Sequence, residues 1–113
     1  MQAIEGLFQL RDWESDNLPL CSSSIGQSVF RYIAKSHLAG HTPSVKELVH
    51  DLPEHSRAGI RLQLRKLEND GWIGLTNGVS DARNRHISST AKLDNLLKQY
   101  QTQLKKLVVI YVK

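Results

Sequence analysis

The sequence predicts a mainly α fold with one small β-hairpin. Three observations point to it. Apolar residues recur at helical spacing in successive stretches, an Asn77-Gly78 turn separates two short strand-like runs, and a regular strip of large apolar residues occupies the C-terminal end. At 113 residues the chain has room for one hydrophobic core and not two.

Residues 3–13 read as a short amphipathic helix with Ile4, Leu7 and Phe8 on one stripe. Residues 14–24 are polar, contain Pro19 and read as a linker. Serines 22 to 24 offer a cap for a helix over residues 24–38, whose stripe is Ile25, Val29, Phe30 and Ile33. Ser44 and Glu47 have the spacing of a capping box, so a helix starts there, carries Val45, Leu48, Val49 and Leu52 inward, and stops at Pro53. Glu54-His55 forms a tight turn, and Ser56 caps a third helix that reaches Asp70 and ends at Gly71. Ile60, Leu64 and Leu67 face its core side, while Arg61 and Arg65 stand one turn apart on another face. Leu62 breaks this pattern: it points away from the inferred core, and packing on a neighbouring helix is favoured over contact with a thymine methyl. Residues 72–75 and 85–88 pair as strands, and a final helix runs from Thr90 to about Val109.

Charge is unevenly distributed. Residues 1–55 hold four basic side chains against seven acidic ones, whereas residues 56–113 hold eleven against four, so the second half is the one suited to a polyanion. The single Cys21 excludes an intramolecular disulfide and fits a reducing compartment. Glu5, Arg11 and Asp12 fall where the apolar core of a leader would lie, and no stretch is long and apolar enough to span a bilayer, so a cytoplasmic protein is expected. The five histidines lack a ligand spacing, and no phosphate loop or nucleophile elbow is present; neither an enzyme, a metal site nor a cofactor is expected.

The stretch from Leu67 to Thr90 carries a family likeness. Leu67 precedes Gly71-Trp72-Ile73, Asp81 follows Gly71 by ten residues, Arg83 comes two later, and Thr90 closes the second strand. This spacing, after two helices and a tight turn, resembles the wing of the winged helix-turn-helix regulators of the MarR (multiple antibiotic resistance regulator) type. Leu75, Ser89 and Leu93 depart from residues common at those places in the family. The resemblance implies an N-terminal arm over residues 1–21, a winged helix-turn-helix domain over 22–90 and a C-terminal dimerisation helix over 91–113. It also implies that Asp81 orients a wing arginine.

Double-stranded DNA is the expected partner. Residues 56–70 would enter a major groove, with Ser56 on a phosphate and Arg57, Arg61 and Arg65 as contacts, Arg61 gripping a guanine. The wing, residues 76–86, would place Arg83, Asn84 and Arg85 on flanking DNA. Leu93, Leu97, Tyr100, Leu104, Leu107 and Tyr111 follow a heptad rhythm and are expected to pair two copies into a homodimer. No residue pattern supports a small-molecule effector. The alternative is a winged-helix module that docks on a protein assembly without touching DNA, marked by an apolar patch around Leu62.

Overall fold

Side-chain caps set the helix starts. Ser23 Oγ accepts from Gly26 N at 3.1 Å, Ser44 Oγ from Glu47 N at 3.0 Å, and Ser56 Oγ from Gly59 N at 3.0 Å. The resulting order is α1 (Gln2–Asn17), α2 (Ser24–Leu38), α3 (Val45–Asp51), α4 (Arg57–Asn69), β1 (Ile73–Thr76), β2 (His86–Ser89) and α5 (Ala91–Val112). This computed structural model describes residues 1–76 and 85–112, with side chains through Leu107. Only half of the capping box forms at Ser44, because the Glu47 carboxylate bonds His41 Nε2 at 3.0 Å instead.

α4 ends in a Schellman turn. Gly71 sits at φ 81°, its N–H donates to Glu68 O, and Trp72 N donates to Leu67 O at 2.9 Å. The turn sends the chain directly into β1, which pairs antiparallel with β2 from Ile73↔Ser89 to Thr76↔His86. Both strands begin one residue later than the sequence suggests. At the hairpin's base, the Thr90 hydroxyl lies 2.7 Å from Gly71 O and 2.9 Å from Trp72 O, and Leu93 N approaches it at 3.4 Å. One side chain thus closes the wing and begins α5.

The core is assembled from Val29, Phe30 and Ile33 of α2, Leu48 of α3, Ile60, Leu64 and Leu67 of α4, Ile73 and Ile87 of the hairpin, and Leu93 and Leu96 of α5. α2 and α3 are also joined at the surface, where Tyr32 Oη donates to Asp51 at 2.6 Å. That bond is the main reason the Asp51 carboxyl sits below its ordinary value, and burial pushes the Tyr32 phenol up.

Three expectations need correction. The segment 14–24 is not all linker: α1 continues to Asn17, with Arg11 paired to Glu14 at 2.9 Å, and the chain leaves the helix only at Leu18. The side of α1 that packs is Gly6, Leu10 and Trp13, while Ile4, Leu7 and Phe8 lie exposed on the opposite side. Leu62 does not pack on a neighbouring helix; it is 47% exposed. The radius of gyration, 15.7 Å, exceeds the ~13 Å of a compact domain of this length, so the fold is elongated. No helix among the described residues is long and apolar enough to cross a membrane.

Candidate nucleic-acid interface

α4 has two unlike sides. At about 100° per residue, Ile60, Leu64 and Leu67 fall on one side, and all three are buried. Ala58, Leu62, Arg65 and Asn69 fall nearly opposite, and all four are exposed. Arg57 and Arg61 flank that outward line on one edge and Lys66 on the other; these too are exposed. Among the described residues, none of the four cations is in an ion pair with a carboxylate. Gln63 is buried and so takes no part in this outward surface.

The start of this helix adds positive potential. Its first turn holds no acid, and Ser56 is exposed, with its oxygen engaged by Gly59 N and its hydroxyl proton free to point outward. An anion at this end would meet free backbone N–H groups as well as Arg57.

The hairpin is fastened to the helix-turn-helix at its base. Val45 N donates to Arg85 O and Ile87 N to Pro43 O, each at 2.8 Å, with a bridge between Ser44 and His86. The Arg85 side chain is exposed beside this junction. Arg83, Asn84 and Asp81, the other wing residues singled out from the sequence, lie outside the described residues.

No protein-family model matches the chain, and no curated protein matches it by sequence. Solved structures do resemble it. The transcriptional regulator Tm0710 from Thermotoga maritima aligns with 96% of this chain and 68% of its own length, at a TM-score of 0.66 and 20% identity. The S. aureus MepR–DNA complex aligns with 91% of this chain and 79% of MepR, at 0.70 and 15%. A MarR-like transcriptional regulator from Thermotoga maritima aligns with 96% of this chain and 77% of its own, at 0.64 and 18%. The fold is the MarR-like winged helix.

In this winged helix the expected pairing strip on α5 is divided. Leu93 is 1% exposed and belongs to the chain's own core, so it cannot pair with another copy. Leu97 packs against that core. Tyr100 faces α1: its ring lies 5.5 Å from the Trp13 ring, and its hydroxyl donates to Glu14. Burial, followed by that carboxylate, pushes the Tyr100 phenol up to about 12. Leu104 is 42% exposed and Leu107 half-buried, while the Tyr111 side chain is outside the described ones.

The apolar surface the sequence did not assign is on α1. Ile4 is 44% exposed, Leu7 38% and Phe8 62%, a continuous stripe on the helix that packs against α5. An i, i+3, i+4 pattern is visible at these positions, but Leu10 and Trp13 form a second apolar side, and it is that side which takes the intramolecular contact. A cleft of about 780 Å³ opens between α1, α2 and α5, with Phe30, Arg31, Lys35 and Tyr100 among its walls. Among the described residues no group of three His, Cys, Asp or Glu side chains could hold a metal ion.

Proposed function

We propose that the chain is a sequence-specific, DNA-binding transcriptional regulator that works as a homodimer and is not an enzyme. The observation that carries this reading is the outward side of α4: four exposed cations without carboxylate partners among the described residues, arranged around a helix of the width a major groove accepts. The likeness to MepR, solved with DNA, supports it. Residues 56–70 enter the groove, and the wing, with Arg85 at its base and Arg83 and Asn84 beyond, lies on flanking DNA. Arg65 shares the outward line with Leu62, so it takes the guanine-reading role that the sequence suggests for Arg61, and Arg57 and Arg61 turn toward phosphates.

The dimer uses Ile4, Leu7 and Phe8 of α1 together with Leu104 of α5. These are large apolar side chains that stay 38–62% exposed in the single chain, on the two helices that pack against each other outside the winged core. Cytoplasmic residence follows from this function. A protein-docking module is less well supported, because Leu62 is a lone apolar residue set among cations.

Gel-shift with random duplex at low and moderate salt tests the DNA contact: binding that weakens steeply with salt is expected, and no binding at low salt would refute it. Sedimentation tests the pairing. The wild type should sediment as a dimer at tens of micromolar and Phe8→Glu as a monomer; a monomeric wild type would refute the homodimer.

A further inference from the structure

We propose that Leu62, with Ala58 beside it, reads thymine methyl groups on the floor of the major groove; this rests on the DNA-binding reading above. Leu62 is 47% exposed on a helix whose apolar requirement is already met by Ile60, Leu64 and Leu67. It gives nothing to the core, and no other described element covers it. Its neighbours on the outward side are Ala58 one turn before, Arg65 and Asn69 after, and the cations Arg57, Arg61 and Lys66 at the two edges.

The groove imposes an order on such a side. It is about 12 Å wide and takes one helix, so the residues opposite the core meet the base edges and those roughly 70–110° around the helix meet the phosphate walls. The cations therefore fall where the anions are, and the apolar pair falls on the bases. Among the base edges exposed in the major groove, guanine, cytosine and adenine present hydrogen-bond donors and acceptors. Thymine alone adds an apolar group, its 5-methyl. A leucine carried to that floor has this one chemical complement. Any other base would leave a donor or acceptor facing a side chain that cannot bond it. Leu62 and Ala58 also lie in the N-terminal half of α4, the half from which a recognition helix contacts base edges.

Thymine with and without its methyl makes the test. Wild type and Leu62→Ala are each used to select duplexes from a random pool, and the duplex most enriched by wild type is remade with deoxyuridine in place of thymidine at each enriched position. Leu62→Ala truncates a half-exposed side chain outside the core, on a helix that favours Ala, so circular dichroism should show the fold intact. The expected result is enrichment of T·A pairs near the middle of each half-site. Uracil there should weaken wild type about three- to fourfold per methyl buried, and Leu62→Ala should bind the thymine and uracil duplexes alike. Equal wild-type affinity for the two duplexes would overturn the assignment, as would the same uracil penalty in Leu62→Ala. Failure of wild type to retain any duplex at low salt would overturn the DNA-binding reading itself and return Leu62 to a role in protein docking.

Discussion

Arg57→Ala separates the DNA contact proposed for the α4 surface from that surface's part in the fold. Arg57 is the first residue of α4, exposed, at the edge assigned here to phosphate. If each subunit of a dimer loses one phosphate contact, the slope of log affinity against log salt becomes shallower by about 1.8, at roughly 0.9 per contact. Over a fourfold rise in salt, from about 50 to about 200 mM, wild type should therefore lose about twelvefold more affinity than the variant does. The same change should not cost stability. A cation at a helix N-terminus opposes the helix dipole, and Ala is the better helix former, so the variant should be as stable as wild type or up to ~1 kcal/mol more. Fluorescence anisotropy titrations at several salt concentrations, with thermal melts alongside, measure both quantities. Parallel salt slopes would refute the phosphate role, and a loss of binding traced to a loss of folding would refute the separation.

Other consequences can be checked without DNA. Thr90→Val keeps the side-chain shape but removes the hydroxyl that closes the wing and caps α5, and should cost ~1–2 kcal/mol in urea denaturation. Gly26→Ala should cost ~1–3 kcal/mol or more, because a Cβ there would overlap the Leu20 carbonyl and lie 2.8 Å from Leu20 Cβ, and Leu20 itself sits at φ 62°. Asp94, held below its ordinary value by hydrogen bonds from His37 and then Lys98, contributes stability above the unfolded value of 3.8 and loses it as pH falls through the lowered folded value. Asp94→Asn should thus narrow the gap in melting temperature between about pH 6 and about pH 3; an unchanged gap would exclude this contribution.

Features set by local chemistry were legible in the sequence. Ser44 and Ser56 cap helices where a hydroxyl three residues ahead of a free N–H requires it, and Gly71 turns the chain because only a positive φ lets α4 run straight into a strand. The core stripe of α4 was equally readable, since Ile60, Leu64 and Leu67 have one face to share. Choices between two apolar sides were not. α1 carries Ile4, Leu7 and Phe8 on one side and Leu10 and Trp13 on the other, and periodicity does not say which side meets the same chain. On α5 the heptad rhythm is the same whether a residue meets its own core, as Leu93 does, or faces outward, as Leu104 does. Leu62 was misplaced for a related reason: an apolar residue on an outward side suggests cover by protein, and here no described element supplies it. The α4 arginines, by contrast, were placed on the exposed side by the same spacing that buried their neighbours.

The fastening of the hairpin base to the start of α3 has a mechanical consequence. Ser44 is buried, caps α3 and bridges to His86, while Pro43 and Val45 hold the backbone on either side of that bridge. Three consecutive residues thus tie the hairpin's root to the start of α3, and the Schellman turn at Gly71 ties its other strand to α4, so the hairpin's base is held to both helices. A signal that changed DNA affinity would have little to bend inside such a head. In the dimer proposed above it would act by altering the separation and tilt between two heads, and the lever available for that is the α1–α5 pair.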